Sequence, residues 1–447
     1  MHVITIETPS LGDRTYVVHD RTTAIVIDPQ RDIDRIVAAA ADADVQITHI
    51  AETHLHNDYV SGGLTLARVT GASYLHAAAE SLRFDHRAVG DGDVVHVGSL
   101  TVQVRATPGH TPHHLAYVVT AHGFPPAVFT GGSMLYGTVG RTDLIGADHT
   151  DALTRAQYRS VHQLADDLPD EAHVYPTHGF GSFCASASSD DDSDGSLGTE
   201  RAVNIALTAD DEDDFVERLL AGLDDYPAYY AHMGPLNQSG AVAVDLSPAA
   251  VTDPVEIARR IHRGEWVVDL RPRRHFALSH LAGTIGVELS DGFSTYLAWL
   301  VPWGMPVTLL ADDPDAVAEA QRQLVRVGID RPAGSATGGI ERWGLHTDRS
   351  HYPVVRFDDV GTDDTILDVR RRAEYSASHL DGATNVPLHE ILDRIGEVPE
   401  GHIHVHCESG FRASIAASLL DRAGHDVTLV DDEFAHAVDS GRPLTHE

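Results

Sequence analysis

From His2 to about Pro176, short β-branched runs alternate with amphipathic stretches. Tyr16-Val17-Val18, Ala24–Ile27, Thr101–Val104 and Ala116–Val119 predict strands, and Ile33–Ala41 and Ala152–Ala165 predict helices. The alternation then stops. Ser186 to Glu200 is rich in Ser, Asp and Gly, with Ser188 to Gly195 reading Ser-Ser-Asp-Asp-Asp-Ser-Asp-Gly. Such a stretch buries almost nothing and predicts a solvated loop. Helical patterns return at Asp213–Leu223 and Pro227–His232, and a boundary near Ser247 to Pro254 opens the second half.

That half repeats itself. Trp266-Val-Val-Asp-Leu-Arg271 leads to Phe276 and then Ser279-His-Leu-Ala-Gly283, and Thr365-Ile-Leu-Asp-Val-Arg370 leads to Tyr375 and then Ser378-His-Leu-Asp-Gly382. Each copy continues to a second apolar strand, Val307–Leu310 or Ile403–His406, followed by a helix. Strand-helix alternation of this kind predicts small α/β domains with parallel sheets.

Composition adds two constraints. The 447 residues suggest about three domains. Acidic residues number 67 against 32 basic ones, a formal net charge of −35, and the basic residues are all arginine. A uniformly acidic surface repels itself at low salt, and at molar salt the Debye length of about 3 Å removes that repulsion. The chain thus resembles haloarchaeal, salt-adapted proteins, and its charge argues against nucleic acid or anionic membrane as partner. With no signal-like segment and no apolar run of membrane-spanning length, a cytoplasmic location is expected. Two cysteines, Cys184 and Cys407, make no disulfide framework.

The first half contains His54-Leu-His56-Asn-Asp58, then Thr107-Pro-Gly-His110, then Tyr175-Pro-Thr-His178-Gly. Each follows a strand, so loops at strand ends can aim imidazoles and a carboxylate into one cavity, a donor set suited to zinc or iron. In order and context these motifs resemble the metallo-β-lactamase superfamily across about residues 2 to 240. The resemblance implies an αββα sandwich, with His54, His56 and His110 as a first metal site and Asp58 and His178 as members of a second. Gly140-Arg141-Thr142-Asp143 resembles the persulfide dioxygenase branch, related to glyoxalase II, where this loop borders the thiol-substrate pocket and implicates Arg141. Two departures stand out. Tyr59 replaces a motif histidine, and Gly132 replaces the metal-bridging aspartate expected after Phe129-Thr130-Gly131. Three outcomes follow: a three-histidine zinc site, an iron site in which Asp58 restores the carboxylate, or weak or absent metal binding.

His402, His404 and His406 share one strand face, but they lie about 7 Å apart there and are expected to be strand histidines.

Cys407-Glu408-Ser409-Gly410-Phe411-Arg412 lies between a strand and the helix predicted over Ala413–Arg422. A loop closing on a helix N-terminus turns backbone N–H groups inward, favours a thiolate and can hold an oxyanion. Gly410 permits the turn and Arg412 adds a cation. This resembles the sulfurtransferase loop of the rhodanese family over about Thr365 to Pro443. The first repeat places Ala311 opposite Cys407, followed by Asp312-Asp313-Pro314, so no nucleophile stands there. Cys184, six residues after His178, could approach the metal pocket, but a packing role is the expectation.

The expected architecture is therefore α/β: a metallo-β-lactamase-like domain over residues 1–247, a cysteine-free rhodanese-like domain over 253–346 and a rhodanese domain over 355–447. The resemblances imply one transition metal, Zn or Fe, and a small thiol persulfide or thioester substrate, with thiosulfate or sulfite as further ligands. A homo-oligomer stays open. Two functional readings also stay open. In one, the metal domain processes a persulfide or thioester and Cys407 carries sulfane sulfur. In the other, the metal domain is silent and the chain is a sulfur carrier or relay.

Overall fold

The computed structural model of the chain describes residues 1–186, 195–439 and 443–445; the Ser188 to Asp194 run lies outside them. The chain divides into two compact units, Met1–Val244 with Val325–Gly328, and Asp245–Leu324 with Ile329–Glu447.

In unit 1, β1 (His2–Thr8), β2 (Asp13–His19), β3 (Thr23–Ile27), β4 (Gln46–Ala51), β5 (Ser73–Ala77) and β6 (Arg87–Val89) form one sheet in that order. It is antiparallel through β3 and parallel from β3 to β6. A second sheet holds β7 (Val94–Val97), β8 (Leu100–Ala106), β9 (Leu115–Thr120), β10 (Ala127–Gly131) and β11 (His173–Pro176), in the order β11-β10-β9-β8-β7.

The side-chain alternation of each strand decides which layer it serves. Tyr16, Val18, Ile25 and Ile27 meet Val102, Val104, Tyr117, Val119 and Phe129 between the sheets. The opposite set, Val17, Val26, Ile47 and Ile50, packs against Ile36, Ala40 and Leu66 of the helices Asp34–Asp42 and Gly63–Thr70. On the other side Ala116, Val118, Val128 and Val174 receive Val161, Leu164 and Phe215. Unit 1 is thus an αββα sandwich. Its site-bearing loops leave the C-terminal ends of β3, β4, β8, β10 and β11, so several chemical groups converge at one edge.

Three helices differ from expectation. The helix expected over Ala152–Ala165 spans Ala147–Asp167, because its first turn is polar and lacks the apolar repeat that marks the rest. Leu197–Val203 is helical inside the expected loop: Ser196 accepts the amide of Thr199 as N-cap, and buried Glu200 accepts the Gly137 amide at 2.8 Å. The helix expected over Pro227–His232 runs instead over Tyr230–Ser239. Asn237 anchors it by donating to the carbonyls of His56 and Tyr59, both at 2.8 Å, a tertiary contact invisible to periodicity.

In unit 2 a parallel sheet orders Ile285–Gly286, Trp266–Asp269, Val307–Leu310 and Gly334–Ala336. A second parallel sheet orders Thr384–Asn385, Thr365–Asp368, His402–His406, Asp426–Val430 and Val354–Val355. The second repeats the topology of the first with one added edge strand. The strands Val307–Leu310 and His402–His406 are each paired on both sides, which accounts for their nearly continuous burial. Among the described residues no helix is long and apolar enough to cross a membrane.

Candidate metal centre and cysteine loop

In unit 1, His54, His56 and Asp58 lie in the turn between β4 and the helix Gly63–Thr70; His110 lies between β8 and β9, and His178 follows β11. All five are buried. The His54 and His178 Nε2 atoms lie 3.3 Å apart, and ligand atoms of His54, His56 and His178 fall within 4.8 Å of one another.

The outward nitrogen of each imidazole is held by oxygen. His54 Nδ1 meets Thr53 Oγ1 at 2.9 Å, and His110 Nδ1 meets the Arg141 carbonyl at 2.7 Å. His56 Nε2 is shared by Asp28 at 3.2 Å, Glu52 at 3.2 Å and the Tyr59 hydroxyl at 2.9 Å. His178 Nδ1 faces Asp13 at 2.8 Å and Asp58 at 3.1 Å. This leaves His56 Nδ1 and His110 Nε2 buried without a partner. Oxygen acceptors behind, with bare nitrogens in front, is how proteins orient imidazoles toward a metal. The donors present therefore fit a transition-metal cation.

Electrostatics agrees. Burial, then the neighbouring imidazoles, pushes His54 well below the usual imidazole range, and burial with His178 takes His110 down to about 3. Both are neutral near pH 7, the form that binds metal. Burial works against a charge on His178 too, but Asp58 and Asp13 drive it well above the usual range. Burial likewise opposes ionisation of Asp28, yet His56 and hydrogen bonds from Thr177 and Thr53 hold it down to about 2. Burial opposes a charge on His56 as well, yet Asp28 and Glu52 raise it to about 9, so His56 and His178 carry the positive charge that faces these carboxylates.

The structure assigns both departures a place. Tyr59 stacks on His56 at 4.3 Å and bonds its outer nitrogen, so it buttresses a donor. At Gly132 an added Cβ would lie 2.3 Å from His110 Cδ2, so the imidazole of His110 occupies the side-chain space. Asp58 addresses the outer nitrogen of His178 and sits with Asp13 and His178 in a group of its own. Arg141 is buried: its guanidinium pairs with Asp143 at 2.7 and 2.8 Å and donates to the carbonyls of Phe183 and Asp224. Its nearest role in the centre is played by its own carbonyl, behind His110.

Sequence reasoning missed Asp13, Asp28 and Glu52. Glu52 adjoins the histidine motif and Asp28 ends a strand, weak signals at best. Asp13 is 165 residues from His178, and no local pattern could join them. Cys184 lies with His110 and His178, its ligand atom within 4.8 Å of theirs.

In unit 2, Cys407 is buried at the end of His402–His406. Gly410, at φ 85°, caps the helix Phe411–Ala423, and a Cβ there would sit 2.3 Å from the Asp431 carboxylate. Glycine is required by both conformation and space. Arg412 is held by a two-point ion pair to Glu374 at 2.6 and 2.7 Å. Glu408 lies 3.6 Å from Arg370, the Ser409 carbonyl accepts from Arg273 at 3.3 Å, and the Phe411 ring meets Tyr296 with centroids 5.7 Å apart. A cavity of about 570 Å³ opens beside Ser409, lined by basic Arg273, Arg274 and Arg356 and by acidic Glu288, Asp431, Asp432 and Glu433. His402 pairs with Asp426, His404 approaches Asp364 and His406 stacks on Phe434, so the three imidazoles answer to different partners.

Comparison with known proteins matches both halves. Residues 356–436 match the rhodanese-like domain family. The human mitochondrial persulfide dioxygenase ETHE1 is 28% identical over 198 residues, 43% of this chain and 71% of that protein. A hydroxyacylglutathione hydrolase of Polaromonas sp. is 32% identical over 161 residues, 35% of this chain and 57% of that protein. A crystal structure of a metallo-β-lactamase from Staphylococcus aureus subsp. aureus COL superposes with a TM-score of 0.67 at 25% identity, covering 75% of this chain and 98% of that one. The chain thus joins a domain of the metallo-β-lactamase fold, homologous to persulfide dioxygenases and glyoxalase II enzymes, to a C-terminal rhodanese-like domain.

Proposed function

We propose that this chain is a sulfur-handling enzyme in which Cys407 carries sulfane sulfur and the metal centre of unit 1 acts on a small thiol-derived substrate. The observation that carries the reading is the Cys407–Arg412 loop, with Gly410 turning the backbone into the start of a helix. The Cys407 thiolate attacks the outer sulfur of thiosulfate. The new S–S bond forms on Cys407 as the old S–S bond breaks, and sulfite leaves with the electron pair. A nucleophile such as cyanide then takes the outer sulfur as thiocyanate and restores the thiolate. Loop N–H groups and Arg412 offset the charge on the oxyanion. Asp312 and Asp313 stand where the first repeat would need such a loop, and we read that repeat as a silent rhodanese-like module. Cyanide-dependent transfer from thiosulfate tests the assignment: Cys407→Ser abolishes it, and retained transfer overturns it.

For unit 1, His54, His56 and His110 would hold the metal. Without a side chain at Gly132, and with Asp58 turned to the outer side of His178, the set favours zinc. A bound zinc supplies a water of lowered pKa, suited to opening a thioester. A second reading rests on similarity to the human persulfide dioxygenase: a persulfide, dioxygen and water give thiol and sulfite. Metal analysis with oxygen uptake separates them. Zinc without oxygen uptake supports the hydrolase, and iron with uptake on a persulfide supports the dioxygenase. A purified chain with neither metal overturns both and leaves a sulfur relay.

A further inference from the structure

Gly132 removes a carboxylate from the centre, and its space is taken by the His110 ring, whose Cδ2 and Cγ lie 2.3 and 2.6 Å from the position of a Cβ. A replacement donor must therefore come from another direction. Cys184 arrives from the segment after β11, fully buried, with its ligand atom within 4.8 Å of those of His110 and His178. Its backbone is tied to the centre. Gly140 and Ala185 form an isolated bridge, and the Arg141 amide donates to the Cys184 carbonyl at 2.8 Å. The Arg141 carbonyl in turn holds His110 Nδ1 at 2.7 Å. One residue thus fixes both the thiol-bearing segment and the imidazole.

A second observation points to a ligand. His110 Nε2 is fully buried and has no hydrogen-bond partner, although the opposite nitrogen of the same ring is well satisfied. A buried imidazole nitrogen left bare is costly unless something binds it. Cys184 also reaches the Tyr230 hydroxyl, which can remain as a donor to the sulfur.

We propose that Cys184 is a metal ligand, its sulfur standing beside His110 and His178 in place of the carboxylate absent at Gly132. This rests on the reading that unit 1 holds a metal. On binding, the thiol proton passes to solvent and a sulfur–metal bond forms, with no change of oxidation state. One thiolate restores the single negative charge that the missing aspartate would have brought. Thiolate and imidazole together select a borderline-soft cation such as zinc over a hard-oxygen metal. Donor atoms around tetrahedral zinc lie roughly 3.3 to 3.8 Å apart, so closure asks for shifts of about 1 Å.

The test uses the full chain with Cys407→Ser, which leaves Cys184 as its one cysteine, loaded with cobalt(II). The expected result is a near-ultraviolet thiolate-to-cobalt charge-transfer band that disappears in Cys184→Ser, with cobalt affinity falling at least about tenfold. Cobalt bound without that band overturns the ligand assignment and leaves the metal-domain reading standing. No bound cobalt overturns both. Should the Cys184→Ser chain not fold, X-ray absorption of the zinc-loaded Cys407→Ser chain decides: a sulfur shell at about 2.3 Å supports the proposal, and a purely nitrogen and oxygen shell overturns it.

Discussion

The two repeats of unit 2 share a scaffold down to single hydrogen bonds. Arg271 clasps Asp269 at 2.7 to 3.1 Å and donates to the Ser279 carbonyl at 2.9 Å; Arg370 clasps Asp368 at 2.8 to 3.1 Å and donates to the Ser378 carbonyl at 2.7 Å. His280 bonds the Phe276 carbonyl and stacks on its ring at 4.0 Å; His379 does the same with Tyr375 at 3.7 Å. They part company after the second strand. One ends in Cys407 and a left-handed Gly410; the other passes through Ala311, Asp312 and Asp313 into the helix Pro314–Arg326. The recurring Asp-x-Arg and Ser-His-Leu segments therefore belong to the scaffold, and the proposed chemistry belongs to the six residues Cys407–Arg412 grafted on it.

The largest expected effect attacks that division directly. Cys407→Ser lowers sulfur transfer from thiosulfate by at least about 10³-fold, and adding Ala311→Cys to it restores none. Two aspartates follow position 311 in place of an anion-holding turn. Transfer assays on the double variant would break the comparison if activity returned.

Next come the shared clasps. Asp269→Asn and Asp368→Asn each leave a buried guanidinium without its carboxylate and should cost about 3 to 5 kcal/mol, by denaturant unfolding. Similar losses at both positions support a common structural role; a loss confined to Asp368 would assign that clasp to the active loop.

Gly132→Asp tests the rebuilt metal centre. Its Cβ meets His110, so overpacking should cost about 1 to 3 kcal/mol with no gain in metal affinity. Tighter metal binding would show that the bridging position is still available.

The smallest effect belongs to Glu374, whose burial opposes ionisation but whose bonds to Arg412 hold its carboxyl down to about 2. A carboxylate depressed in the folded state adds stability above its unfolded pKa of about 4.5, and that contribution is lost as pH falls toward 2. Glu374→Gln should remove on the order of 1 to 2 kcal/mol at pH 7 and flatten the stability profile between those limits.

Legibility from the sequence followed the range of the interactions. Period-two apolar runs such as Ala24–Ile27 and the Asp-x-Arg repeat are local, and they located the strands, the α/β class and the duplication. His54, His56, Asp58, His110, His178 and the Cys407 loop carry motifs that can be read at fixed spacing. The helix ends at Ala147 and Tyr230 depended on polar first turns and on the distant Asn237 contacts, which periodicity does not record.

By itself the sequence determined which residue types stand at each strand end, that position 132 offers no carboxylate, and that position 311 offers no thiol. Only the tertiary structure decided what those facts mean. It turned Tyr59 from a missing ligand into a buttress for His56 and set Asp58 on the outer nitrogen of His178. It filled the Gly132 space with His110 and set the buried Cys184 sulfur within 4.8 Å of the His110 and His178 ligand atoms. Side-chain identity is written in the chain one residue at a time. The direction of a ligand atom is a sum of contacts between strands more than a hundred residues apart, and it exists only once the two sheets have closed on their core.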